Sequence, residues 1–340
     1  MNARSSSKHL QRGLSLIELM VAMSIGLFLL AGAVSVLGKG RDLYRTNDAA
    51  ARLQETARYA MSTIEADLRM ANYWGLMSRA DLVENGPTLD LANIPVVDPA
   101  YALPADLSGY AATIDECGDA WAVKLPAYIE GNNNGYGYDC PEFDTAVGSS
   151  DQLTVRRASA QIIDAGSLAA SAGQIKIQSS RMLGALFSGG ALPVGYSLAP
   201  QSESRAIVAH GYYVDQASEQ DAGTPSLRRK QLGFVGGTPA ILDQEIVPGV
   251  EDLQLEFGLD LDADQNADYF VPPGTAIAAG REIVAVRVWL LVRAEQPEFT
   301  FTDDRTYSYA DRVGGAAYTP ADNFRRVLVS KTIALRNTRR

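Results

Sequence analysis

Histidine, cysteine and tryptophan are scarce in this chain, at two, two and three residues among 340. A metal centre of the His/Cys type needs three or four such ligands at close spacing, which His9 and His210 do not supply. His210 lies in a strand-like run with no triad partner near it in sequence, and neither a G-x-S-x-G elbow nor a phosphate-binding glycine loop occurs. The sequence therefore carries no enzyme signature. Positive charge is also in deficit, with 30 Lys and Arg against 40 Asp and Glu and a formal charge of -10. Polyanion binding is driven by Lys and Arg releasing counterions, so nucleic acid is excluded as a partner. The cluster Arg228, Arg229 and Lys230 is too small for such a footprint and reads as a solvated sheet edge.

Long apolar runs are missing as well, with one exception. Leu14 to Gly38 is apolar except for Ser15, Ser24, Ser35 and Glu18, long enough to cross about 30 Å of hydrocarbon as a helix. An acidic residue near the centre of such a helix costs about 2.5 to 3.5 kcal/mol, and less near an end, so Glu18 requires a partner. Three readings compete. A secretory signal would cut after Ala31-Gly32-Ala33 and leaves Glu18 unexplained. A plain signal anchor tolerates a snorkelling Glu18 but gives no account of Gly13 five residues before it. The third reading accounts for both residues: "RGLSLIEL" resembles the type IV prepilin signal, in which a dedicated peptidase cuts after the Gly and the new N-terminus is methylated.

That resemblance needs basic residues, then Gly, an apolar residue, Glu at the fifth mature position and about 20 apolar residues. Arg12, Gly13, Leu14, Glu18 and Leu19 to Leu37 supply each element, with Leu14 in place of the more usual Phe. It implies cleavage after Gly13 by a prepilin peptidase/methylase, methylation of Leu14, and a role for Glu18 in compensating the N-terminal amine of a neighbouring subunit. Such a pair in a low-dielectric medium stabilises two groups that are each costly alone. Arg4, Lys8 and Arg12 precede the span and Lys39, Arg41 and Arg45 follow it, so positive charge leaves orientation undecided. The cleavage signal places the N-terminus in the cytoplasm and the head in the periplasm.

Past the span, Leu53, Ala57, Ala60, Ile64, Leu68 and Ala71 recur at three and four residues, with Arg52, Glu55, Arg58, Glu65 and Arg69 on other faces. This predicts one helix from Leu14 to about Asn72, near 90 Å long at 1.5 Å per residue. From residue 76 onwards, turns such as "ENGPTLD", "GNNNGYGYDC" and "FVGGTPA" separate alternating runs such as "QLTVRR", "QIKIQ", "AIVAHGYYV", "LQLEFGL" and "IVAVRVWLLV". The fold class expected is α+β and pilin-like: a long N-terminal helix, transmembrane then amphipathic, on a mainly antiparallel β-sheet head. The divisions expected are a leader at 1–13, a transmembrane half at 14–38, an amphipathic half at 39–75 and a periplasmic head at 76–340. Cys117 and Cys140 close a loop rich in Gly, Asn and Tyr. In an exported head they form a disulfide worth about 3 kcal/mol by loop-closure entropy, the other reading being two buried thiols.

A second resemblance lies in the head. "YYVDQ", "SLRRK", "IVPGVEDLQLEFGLD", "EIVAVRVWLLVRAE" and "ALRN" are similar to the PilW family of minor type IV pilins, related to the J-type minor pseudopilins of type II secretion. The resemblance implies a non-catalytic subunit that helps initiate pilus assembly and joins other minor pilins in a tip complex. The partners implied are those minor pilins, the major pilin, the peptidase/methylase, a tip adhesin and the inner membrane. The protein would pass from a single-pass inner-membrane form to the pilus tip, in a machine serving twitching motility, adhesion, DNA uptake or secretion. One cofactor is suggested. Asp260, Asp262, Asp264, Asn266 and Asp268 place oxygens at every second position, as in the first half of a calcium loop. The central Gly is replaced by Gln265 and the terminal bidentate Glu is missing, so an acidic hairpin loop stands beside the calcium reading. The competing functional reading is an anchored or secreted calcium-dependent binding module.

Overall fold

The structure is a computed structural model, and it describes residues 15–77, 80, 83–84, 106–193, 196, 201–277, 281–312 and 317–338. The chain divides into two units, Met1–Ala51 and Arg52–Arg340. Helix α1 is continuous from Leu16 to Met70 and so contributes to both.

In the first unit, α1 exposes apolar side chains on every face, Leu16 at 78% and Phe28 at 85% among them. A water-soluble helix would bury one stripe of such residues. The segment Leu16–Gly40 is long and apolar enough to cross a membrane and is 0% buried.

In the second unit, α1 carries the apolar row expected from its spacing: Leu53, Ala57, Ala60, Ile64, Leu68 and Ala71 are all buried. Twelve strands among the described residues form two sheets. They are β1 Val83–Glu84, β2 Ile129–Asn132, β3 Gln152–Ala158, β4 Lys176–Ser180, β5 Gly184–Phe187, β6 Ser202–Asp215, β7 Ser226–Val235, β8 Thr238–Pro248, β9 Val250–Asp260, β10 Tyr269–Val271, β11 Glu282–Arg293 and β12 Arg326–Ala334. The larger sheet runs β1-β5-β4-β6-β3-β2, with β7 and β8 added through β6, and the smaller runs β10-β9-β11-β12. Every pairing is antiparallel except the short β1–β5 ladder. The expected α+β, antiparallel head is what the structure has.

One core joins these layers. Ile64 and Leu68 of α1 pack with Leu153, Tyr212 and Leu227 of the larger sheet and Leu255, Val286 and Val288 of the smaller. The alternation in "IVAVRVWLLV" decides which side chains reach it: Val286, Val288, Leu290 and Val292 enter, while Leu291 packs with Tyr307 and Tyr309 on the other face. A second core surrounds Trp74, Ile114, Trp121 and Leu186.

Turn chemistry explains two close passages. Gly236 and Gly237 have φ of 61° and 88°, as a two-residue hairpin with Val235 opposite Thr238 requires. At Gly249, where φ is 88°, an added Cβ would lie 2.7 Å from the Arg293 carbonyl oxygen.

Cys117 and Cys140 are bonded to each other. Their bridge ties the turn after residue 114 to the Gly- and Asn-rich loop before β3, where regular structure is sparse. Replacing both by Ala should cost about 3 kcal/mol, which lowers the melting temperature by about 6 to 12 °C. Thermal unfolding of the double variant checks this, and an unchanged midpoint would show that the bridge is dispensable.

Candidate functional site

The N-terminal end of α1 carries the first candidate. Ser15 N–H donates to Glu18 Oε2 at 3.0 Å and Glu18 N–H donates to Ser15 Oγ at 3.2 Å. This is a reciprocal capping box, which satisfies two of the four backbone donors left open at a helix start. The motif S-x-x-E announces it in the sequence, beside the reading of Glu18 as an assembly charge. Glu18 thus has a local partner within its own chain, and its carboxylate is exposed. Gly13 and Leu14 lie outside the described residues.

The second site joins α1 to the head. Asp67 is 4% exposed and collects four hydrogen bonds: Arg157 Nε at 3.2 Å and Nη2 at 2.9 Å on Oδ1, and the Tyr212 hydroxyl and His210 Nδ1 on Oδ2. Burial alone would raise the Asp67 carboxyl. The His210 hydrogen bond, with the charge of Arg157 and the Tyr212 hydroxyl, instead holds it well below the usual carboxylate range. Burial pushes His210 down against the pull of Asp67. Since Arg157 already balances Asp67, a protonated imidazole would add an unpaired buried charge, so His210 is neutral near pH 7. His210 does have an acidic partner, then, but one supplied by α1, 143 residues away.

A few residues on, the chain leaves α1 through Asn72 at φ 60°, a left-handed cap. Asn337 Nδ2 donates to the Ala71 carbonyl at 3.0 Å, and Asn72 Nδ2 donates to the Asn337 carbonyl at 2.8 Å. The last residue of "ALRN" therefore satisfies the end of the helix that begins the head. "SLRRK" is likewise structural. Arg228 is 1% exposed and meets Asp243 at 2.7 Å, and Lys230, at 5%, meets Asp243 at 2.6 Å, so the solvated edge expected of this cluster is not found.

The acidic loop follows β9. Oxygens of Asp260, Asp262 and Asp268 lie within 4.8 Å of one another, close enough to share one divalent cation. Asp264 and Asn266 bond to each other, at 2.9 Å between side chains, and three of the four aspartates expected as ligands converge. Asp260 also organises the turn, accepting from Ala263 N–H at 2.7 Å and Gln265 N–H at 2.8 Å. Gln265 takes φ of 70°, the left-handed conformation that glycine supplies in a calcium loop. If the loop holds calcium, the ion at ten times its Kd adds about 1.4 kcal/mol, or about 3 to 5 °C of melting temperature. Asp262→Ala should remove that rise, and identical melting curves with calcium and with chelator would dismiss the ion.

A prepilin-like helix start and an apolar span together with an α+β head define a type IV pilin-like protein. Residues 8–34 match the prokaryotic N-terminal methylation motif. Within the class, residues 211–337 match the family described as Type IV Pilus-assembly protein W, PilW. Pilin-like protein PilA3 of Thermus thermophilus is 37% identical over 67 residues, which is 19% of this chain and 29% of that protein. The chain thus spans less than a third of that relative. Among solved structures, type IV-like pilin TTHA1219 from Thermus thermophilus aligns over 56% of this chain and 79% of its own at 14% identity, with a TM-score of 0.29, so the fold rests on the strands and helix described above.

Proposed function

We propose that this chain is a minor pilin that helps initiate type IV pilus assembly and joins a tip complex with other minor pilins, as a structural and non-catalytic subunit. The observation that carries the reading is the joint presence, in one chain, of an apolar helix with Glu18 in its first turn and a head matching PilW. Cleavage after Gly13 and methylation of Leu14 produce the mature N-terminus. The span holds the subunit in the inner membrane with its head in the periplasm, the compartment that suits the Cys117–Cys140 bond. On leaving the bilayer, Glu18 pairs with the amine of a neighbour. The partners are other minor pilins, the major pilin, the peptidase/methylase and a tip adhesin.

Bulk supports the tip position. A head built of two sheets, with a long connection between β11 and β12, suits a filament end better than a thin repeating shaft. The account is tested by deleting the gene and capturing the tagged chain from membranes. Other minor pilins should co-purify, and surface pili should fall sharply in number. Normal piliation, with no pilin recovered, would reject the assembly role.

A further inference from the structure

We propose that the cavity at the end of β11 binds a small organic carboxylate with a short apolar chain, held by Arg293. The site is independent of the assembly role above. The cavity measures about 330 Å³, within the range of small-molecule sites, and Glu251, Asp252, Arg293 and Arg312 line it. Its two carboxylates are already taken. Glu251 accepts from Arg326 Nε at 2.5 Å and Nη2 at 3.0 Å, and from the Tyr318 hydroxyl at 3.1 Å. Asp252 accepts from Arg312 Nε at 2.9 Å and from the Tyr309 hydroxyl at 2.6 Å.

Arg293 is the cation left over. Among the described residues its guanidinium forms no ion pair, and its one hydrogen bond runs from Nη2 to the carbonyl of Gly223, another wall residue, at 2.7 Å. Nε is buried without a partner; Nη1 has none either and is not buried, so it opens onto the space that Arg293 lines. Stacking on the Phe324 ring, 4.2 Å from its centroid, fixes the plane of the group. Burial lowers the pKa of all three arginines here. At Arg312 and Arg326 the bonded carboxylates outweigh it and both values rise, whereas at Arg293 the unbonded Glu251 and Asp322 do not, and the value falls. Charges withdrawn from water are normally paired, so a guanidinium without a carboxylate at a cavity wall marks the place of an anion. The free N–H groups of Nη1 and Nη2 form the planar fork that a carboxylate accepts bidentately. A dianion would meet Glu251 and Asp252 on the same walls, so one negative charge suits the site better than two. Val147, Pro225 and Leu291 offer an apolar wall for the rest of the ligand.

The test uses the full chain in micelles of a detergent that carries no carboxylate. Sodium butanoate and N-acetylvaline are offered at roughly 10 mM, because so small a ligand binds at about the millimolar level. Saturation transfer from protein to at least one of them is expected, with none to neutral butanamide and no displacement by sodium sulfate at equal ionic strength. Tighter binding of N-acetylvaline would mark a polypeptide C-terminus as the source of the carboxylate, and tighter binding of butanoate a free acid. Arg293→Gln should weaken binding about tenfold or more by loss of the charged, bidentate partner. Arg293→Lys keeps the charge without the fork and should weaken it by less. Melting temperatures of both variants are measured alongside. Absence of transfer to both carboxylates overturns the proposal, as does equal transfer to butanamide or displacement by sulfate. Unchanged binding in folded Arg293→Gln overturns it too, and if that variant does not fold, unchanged binding in Arg293→Lys does.

Discussion

Glu18→Gln should leave the chain inserted and cleaved but largely unable to enter a pilus. Gln completes the capping box with Ser15 as Glu does, so the start of α1 survives while the charge is lost. On the proposed pairing, what remains is a neighbour's amine without its carboxylate in a low-dielectric setting. Breaking such a pair costs about 3 to 5 kcal/mol, which corresponds to an incorporation defect of roughly 100-fold or more. Ser15→Ala is the companion variant. It keeps the charge, removes one hydrogen bond of the box at about 1 kcal/mol, and should pass into pili at close to the normal level. Comparing shed pili with membrane pools by immunoblot checks both. Normal incorporation of Glu18→Gln would leave the carboxylate with its capping role only.

Asp67→Ala should destabilise the head by about 3 to 5 kcal/mol, lowering its melting temperature by about 10 °C, because it strands Arg157, His210 and Tyr212 around an empty position. The pH profile of the native protein reports the same site. The depressed Asp67 carboxyl contributes stability that is complete above about pH 4, the unfolded value, and is lost as pH falls below it. His210 is depressed as well. Below about pH 6.5 the unfolded chain takes up a proton that the folded imidazole refuses, and stability falls with acidification there too. Asp151 acts in the opposite sense. Burial, aided by the nearby Asp311 and Asp252 charges, pushes it up to about 7 against hydrogen bonds from Asn134 and Leu255, so the fold gains stability as pH falls from 7 towards 4. A shallow slope between pH 7 and 4 and a steep loss below are therefore expected. In Asp67→Ala the steep loss should flatten, and denaturant unfolding across this range measures it.

The helix face and the strands were legible because their periods are local. Leu53 to Ala71 repeat at helical spacing, and "QLTVRR" and "IVAVRVWLLV" became β3 and β11 nearly residue for residue. The Asp67 cluster was not legible, since no local pattern links a helix carboxylate to His210 on β6. Arg228 and Lys230 misled because charged side chains in isolation read as solvated. Folding the hairpin about Gly236 and Gly237 would have found their partners: Arg228 falls opposite Glu245 and Lys230 opposite Asp243. In the acidic loop, alternation suggested five convergent oxygens. The turn around Asp260 brings Asp260, Asp262 and Asp268 together, while Asp264 accepts from Asn266. Arg326, with 3% exposure and bonds to Glu251 and Asp322, has no signal of its own, because no local pattern links it to a carboxylate on β9, and the β11–β12 connection that supplies Asp322 has no named strand or helix among its described residues.

The central claim is that the apolar helix begins as a processed prepilin. Intact mass and N-terminal fragmentation of the chain isolated from membranes of the native host test it most directly. The account predicts a polypeptide starting at Leu14 and carrying one methyl group on its amine. A chain starting at Val34, or one that retains residues 1–13, would contradict it.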